Sequence, residues 1–263
     1  MTEALGMSGA PKEGQRRLGL VMCMHAGCVQ YTQRFFGEVL QDPTTASPLL
    51  FPETVFNAPA SHLAALLEKP PLTCTLLGGP ATFLQGLGLA AEWVLEGRVD
   101  GCLIVGAEET NWLLADVIWQ FNRQVQPAGG AGAVFLAGSG ERSLGIELTG
   151  ITEPQLYTSR QNRRQASRRM RELLPTGAAD ELLCDGLQGC SRADAAEAGA
   201  WRDWPGARMS PKVVLGEGLM AASAWQCVAA IDALLAGRFC AANVSVIDAN
   251  QQALGARFCR TLC

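Results

Sequence analysis

Apolar residues along this chain fall into two kinds of run. The first kind is short and continuous: Arg17–Met24 (RLGLVMCM), Leu72–Leu77 (LTCTLL), Val99–Gly106 (VDGCLIVG) and Gly129–Leu136 (GGAGAVFL). These runs of six to eight residues are bounded by Gly, Pro or charge, and read as buried strands. Ser143–Thr152 is expected to continue the sheet. The second kind is longer and helical. Val29–Leu40 is amphipathic and aromatic-rich, and Ala60–Leu67 is a short helix. A long apolar helix runs from Gly78 to about Glu96, where Gly97 supplies the residue after its C-cap. Glu108–Val125 is read as a further helix, and the proline-punctuated Asp42–Pro59 as a loop. Strands without alternation, separated by helices, predict an α/β protein with sheets covered on both faces.

The pattern then repeats. Gly78–Arg98 (GGPATFLQGLGLAAEWVLEGR) and Gly218–Arg238 (GLMAASAWQCVAAIDALLAGR) each span 21 positions, offset by 140. Six positions are identical: Gly78/Gly218, Ala81/Ala221, Ala90/Ala230, Leu95/Leu235, Gly97/Gly237 and Arg98/Arg238. Each segment is preceded by an apolar run (LTCTLL; KVVL) and followed by another (VDGCLIV; ANVSVI), all read as strands. A duplicated βαβ unit accounts for this better than two ordinary small-residue helices. Small residues along both helices let them approach closely inside a layered interior.

Composition narrows the class. Charged residues make up 17% of the 263-residue chain, against about 25% in a typical soluble domain. The net charge of −4 argues against a nucleic-acid-binding protein. No stretch of the chain has the length and apolarity of a membrane span. Met1–Arg17 carries both charges and no apolar centre, so it reads as a flexible arm and not a signal peptide. Ten cysteines are spread evenly with no CxxC pair, which suits reduced, buried thiols in a cytoplasmic protein. The expected organisation is an arm over 1–17 and one domain over 18–263, with pseudo-repeats of about 18–150 and 151–263.

Candidate chemistry is sparse. The two histidines, His25 and His62, exclude a histidine-rich metal site and have no ligand or triad partner nearby in sequence. Gly86-x-Gly88-x-x-Ala91 matches a loose dinucleotide fingerprint, but its glycines fall inside a helix and not in a strand–helix turn, so they read as packing residues. Arg160, Arg163, Arg164, Arg168, Arg169 and Arg171 form a basic cluster on one predicted helix. That cluster is either a solvated face or a contact for an anionic partner such as an acidic carrier protein. Gly78 follows a strand and opens a helix, a place where backbone N–H groups and the helix dipole converge. It has no side chain to react.

Ser47–Ala64 (SPLLFPETVFNAPASHLA), the strand before Gly78, the Gly78 helix, Val99–Glu109 (VDGCLIVGAEE) and Gly129–Leu136 occur in an order that resembles β-ketoacyl synthases. Among these the chain looks most like the divergent ketosynthase-like proteins and chain-length factors. The resemblance runs from about Leu18 to Arg260. It implies the thiolase fold, in which duplicated βαβ halves form αβαβα layers. That family condenses acyl chains with one Cys nucleophile and two histidines. The nucleophile's place here matches Gly78. The first His motif matches Asp185–Gly189, followed by Asp194 and Glu197-Ala198, with Asp185 in the His place. The second matches Lys212–Glu217, with Lys212 kept and Glu217 in the His place. The glycine-rich gating loop matches Asp248–Gln252.

By this resemblance all three catalytic side chains are missing. A glycine cannot carry an acyl group, and ionised carboxylates oppose an oxyanion. Cys74 and Cys184 are weak substitutes for the nucleophile. The family's further β-α-β segment, ahead of the part matched by Arg17–Met24, has no counterpart in the resemblance. The implied role is a non-condensing subunit in fatty-acid or polyketide (for example polyene) assembly. It would pair with an active ketosynthase, or with itself, through Leu72–Leu76. Acyl substrate would lie near Gly78, Asp185, Glu217 and Asn250, and a carrier protein near Arg160, Arg163, Arg164 and Arg168. No cofactor or metal is expected. Two alternatives stand beside it. One is altered acyl chemistry, such as hydrolysis, decarboxylation or transfer, with Asp185 and Glu217 as acid and base. The other is a scaffold that only binds acyl chains or carrier protein.

Overall fold

Leu18–Met24 form β1, and Leu72–Leu77 (β2) and Gly101–Glu108 (β3) lie parallel to it on either side. A computed structural model describes residues 17–67, 71–138, 145–175, 177–249 and 251–261. Gly130–Ala137 (β4) runs antiparallel to β3 and completes a four-stranded sheet, β2-β1-β3-β4. Between the strands lie α1 (Val29–Gln41), a 3-10 turn (Phe51–Thr54), α2 (Ala58–Ala65), α3 (Thr82–Leu95) and α4 (Trp112–Phe121). The expected proline-punctuated loop thus contains that 3-10 turn and the first turn of α2. The long apolar helix starts at Thr82, because Gly78-Gly79-Pro80 forms the turn before it.

The second half follows the same order. Its elements are β5 (Ile146–Ile151), β6 (Gln155–Leu156), α5 (Arg160–Leu173), β7 (Leu182–Cys184), α6 (Ser191–Ala200), β8 (Ala207–Met209), α7 (Pro211–Leu215), α8 (Met220–Leu235), β9 (Ala241–Ile247) and β10 (Gln252–Arg260). The second sheet reads β8-β7-β9-β10-β5, with β6 also on β10. β7 is parallel to β8 and β9, and β10 is antiparallel to β9. The strands therefore correspond in pairs: β1 with β7, β2 with β8, β3 with β9, β4 with β10. The crossover helices α3 and α8 correspond as the 140-residue offset requires.

Two expectations change. KVVL is not a strand. Pro211 sits at the first position of α7, Gly216 ends it at φ +87°, and Val213, Val214 and Leu215 face solvent. Proline pre-sets the helical φ, and the buried Pro211 and Lys212 decide which way the turn faces, so local chemistry overrides the β-branched run. The strand that precedes α8 is β8. Ile146–Ile151, expected to continue the first sheet, pairs with β10 on the edge of the second. Among the described residues no strand flanks the outer edge of β4.

Alternation along β1 divides the core. Val21 and Cys23 point inward onto α3, while Leu20, Met22 and Met24 point outward to Ala60 of α2. The inner layer is α3 and α8, packed against each other and between the sheets. Phe83, Leu84 and Leu87 of α3 and Ala224, Cys227 and Leu234 of α8 are all fully buried there. Outside the second sheet, α5 and α6 close a cluster around Met170, Trp201 and Leu183. Small residues permit this closeness. A Cβ on Gly106 would lie 2.6 Å from the Met220 carbonyl oxygen, and one on Gly86 would lie 2.6 Å from Cys23 Sγ. Gly86 is therefore a packing residue and not a nucleotide-binding glycine. No helix among the described residues is long and apolar enough to cross a membrane.

Candidate functional site

Four segments converge where the two halves meet: the turn before α3, the loop after β7, the α7–α8 junction and the turn after β9. Asp185 directly follows β7 and is 1% exposed. Its Oδ1 accepts from Ser210 Oγ at 2.5 Å and from the Leu187 N–H at 3.3 Å. Its Oδ2 lies 4.0 Å from Arg208 Nη1. Burial raises its pKa, against the opposing pull of Ser210, Leu187 and Arg208.

Glu217 sits between α7 and α8 with both oxygens engaged. Oε2 lies 2.8 Å from Lys212 Nζ and 2.6 Å from Gln188 Nε2, and Oε1 accepts from the Leu219 N–H at 2.8 Å. Lys212 is 5% exposed. Leu219, at φ 50°, is the one non-glycine in the left-handed region among the described residues. Such a conformation costs about 1–3 kcal/mol and persists only when neighbours hold it. Here the Glu217 carboxylate holds it.

Glu197, from α6, is buried beneath the same loop. It accepts from the Gly186 N–H at 3.0 Å and Ser245 Oγ at 2.5 Å. Burial first, and the charge of Asp185 second, push its pKa up to about 7. Asp248, at the end of β9, reaches the start of α3. Its Oδ1 accepts from the Ala81 N–H at 2.7 Å. Burial pushes it up to about 6, against the pull of the Ala81 N–H and Lys212. The result is a cluster of four buried carboxyls around one fully enclosed lysine, with Arg208 and Arg163 at its margin.

The predicted residues separate as follows. Gly78, Asp185, Lys212 and Glu217 all come to this meeting of the two halves. Asn250 lies outside the described residues. A Cβ at Gly78 would land on the Thr82 hydroxyl, so the turn is built around the missing side chain. His25, not expected near the site, contacts the Gly78 carbonyl through Nδ1 at 2.8 Å. The parallel register that sets Met24 beside Leu77 puts it there, and that register is not visible in the sequence. His62 pairs with Glu53 on the surface at 2.7 Å. Cys184 is fully buried and pushed up to about 12, so it is not a nucleophile. All nine cysteines among the described residues are free, and no group of acidic, Cys or His side chains there is placed to hold a metal.

The arginine cluster splits. Arg160, Arg164, Arg168 and Arg169 are exposed. Arg163 turns toward Tyr157 and Asp248. Arg171 stacks over Trp201 at 4.5 Å and caps the end of α5 through the Leu174 and Pro175 carbonyls. Neither inward arginine is available to a partner.

No protein-family model and no curated protein sequence matches the chain. Solved structures do match it. A type II polyketide-synthase ketosynthase in complex with its acyl-carrier protein (AntDE:AntF) superposes with TM-score 0.80 at 14% identity, over 98% of this chain and 78% of that one. The chain has the thiolase-like ketosynthase fold. The ishigamide ketosynthase/chain length factor gives TM-score 0.76 at 19% identity, over 95% of this chain and 75% of that one. A β-ketoacyl synthase from Burkholderia phymatum STM815 gives 0.74 at 15%, over 97% and 78%. This ketosynthase-fold chain thus shares its scaffold with all three. Gln188 and Asp248 lie inside the matched segments Asp185–Gly189 and Asp248–Gln252, without an expected role there, and Ser210 lies outside every matched segment. Asp248 carries a second signal: it stands 140 positions after Glu108, continuing the offset of the internal repeat. Glu108 in turn holds the His25 and Ala26 N–H groups at 2.9 and 2.8 Å.

Proposed function

We propose that the chain is a non-condensing ketosynthase-fold subunit that pairs with an active ketosynthase in polyketide or fatty-acid assembly. The observation that carries this reading is the chemistry at the three matched positions: Gly78 has no side chain, Asp185 is buried on Ser210, and Glu217 is consumed by Lys212, Gln188 and Leu219. A carboxylate with both oxygens bonded is poorly placed to shuttle protons. This weighs against the reading in which Asp185 and Glu217 act as acid and base.

The surface supports a partner. β2 is an edge strand of its sheet among the described residues, and its outer residues Leu72 and Leu77 are exposed. Phe51, Phe56 and Leu66 are also exposed on the segments leading to it. An unprotected apolar edge is a template for strand pairing. Leu72→Lys with Leu77→Asp is expected to weaken capture of a co-expressed active ketosynthase at least tenfold without loss of folding. A chain that stays monomeric beside every such ketosynthase would refute the pairing.

The exposed arginines of α5 suit an acidic carrier protein. Arg164→Glu with Arg168→Glu is expected to weaken carrier-protein binding about tenfold and to flatten its dependence on salt. Titration at two ionic strengths decides it, and unchanged binding removes this face from the proposal.

A further inference from the structure

The Asp248 carboxylate leaves the second sheet and enters the first half of the molecule, 167 residues from the N–H it accepts. It is 1% exposed. Its backbone is fixed on both sides. The Asp248 N–H donates to the Gln252 carbonyl at 3.0 Å, and the Tyr157 hydroxyl donates to the Asp248 carbonyl. Beside it, Gln85 of α3 and Gln252 of β10 face each other through their amides at 3.2 and 3.3 Å.

The turn before α3 is shaped around the carboxylate. A Cβ on Gly79 would lie 2.5 Å from Asp248 Oδ2, so only glycine leaves room for that oxygen. Pro80 brings no N–H, and Ala81 offers the N–H that Oδ1 takes. Oδ2 is buried with no hydrogen-bond partner. α3 is a 14-residue helix, long enough for a positive N-terminal end. Lys212, Glu217 and Arg163 are the charged groups that act on Asp248, and Tyr157 is the further titratable one. The start of α8 differs. There the carboxylate on the Leu219 N–H is that of Glu217, two residues before, a local side-chain-to-backbone bond.

We infer that the N-terminus of α3 is a latent carboxyl-binding site, and that Asp248 fills it as a tethered internal ligand. A tethered group competes at an effective concentration near the millimolar range, so a free carboxylate of modest affinity does not displace it. The inference deepens the non-condensing reading, because the Ala81 N–H is already taken and cannot serve a substrate oxyanion. Its test needs no partner, so the two can fail separately.

The probe is sodium acetate, with sodium chloride as ionic control, and the readout is thermal unfolding. Asp248→Ala vacates the site. Acetate should raise the Tm of that variant saturably, by about 3 °C at ten times its Kd. It should leave the native chain and Asp248→Asn, where the site stays filled, where chloride leaves them. Equal acetate shifts in all three proteins overturn the inference. Should Asp248→Ala fail to fold, the Ala81 amide reports the same contact in 15N-alanine-labelled native chain. Its chemical shift should titrate with Asp248 and lose that titration in Asp248→Asn. A flat Ala81 shift in the native chain overturns it.

Discussion

Lys212→Met is expected to destabilise the protein by about 3–5 kcal/mol, the loss seen when one member of a buried ion pair is removed. Lys212 Nζ lies 2.8 Å from Glu217 Oε2 in an enclosed site. It also acts favourably on Glu197 and Asp248. Removing it leaves several buried carboxyls facing one another with Arg208 and Arg163 only at the edge. The partner variant separates charge from packing. Lys212→Met combined with Glu217→Gln removes the uncompensated charge and keeps an oxygen for the Leu219 N–H. The double variant should therefore be more stable than Lys212→Met alone. Urea unfolding of the three proteins measures this. A loss below about 1 kcal/mol for Lys212→Met, the range of an exposed pair, would show that the pair does not hold the α7–α8 junction.

Stability should rise as the pH is lowered from 8 to 5, the reverse of common acid sensitivity. Glu197 is held at about 7 in the folded chain against 4.5 for a free glutamate, and Asp248 at about 6 against 3.8. Burial is the first cause in both, and the Asp185 charge adds to it for Glu197. A carboxyl whose folded value exceeds its unfolded value favours folding in its neutral form. That contribution is complete below the unfolded value and is lost as the pH rises through 6 and 7. For Glu197 alone the difference is on the order of 3 kcal/mol. Urea midpoints at pH 5 and pH 8 test it, and Glu197→Gln should flatten most of the difference. A midpoint that climbs with pH across this range would contradict the buried cluster.

The scaffold was readable because its strands are continuous apolar runs and because the chain says the same thing twice. LTCTLL, VDGCLIVG and ANVSVI each became a strand inside a longer or shorter element with the expected neighbours. The 140-residue offset between α3 and α8 corresponds to a real topological equivalence. KVVL failed because proline, a buried lysine and a left-handed glycine act locally, where an apolar pattern carries no information about them. The site was half legible. Gly78, Asp185 and Glu217 could be placed by motif order, but what they bond to could not. Gln188 and Asp248 lie inside segments placed by motif order, whereas Ser210 follows β8 and only the folded register brings it to Asp185. The six arginines of α5 look alike in sequence, yet Arg171 packs on Trp201 and Arg163 points inward.

The central layer has a historical consequence. α8 packs on β3 and β4 of one sheet and on β9 of the other, and α3 reaches β10 as well as β1 and β3. The inner face of the first sheet is covered by helices from both halves. A single ancestral half, standing alone, would have exposed an apolar helix and sheet to water, and two identical copies related by a twofold axis would have covered each other. The internal repeat has the form that such a symmetric dimer would take if its two copies were joined end to end. The halves are joined chiefly by α8 lying on β3 and β4, with the alanine- and glycine-rich approach of α3 to α8 beside it, and Gly78, Asp185 and Glu217 lie outside all of these elements.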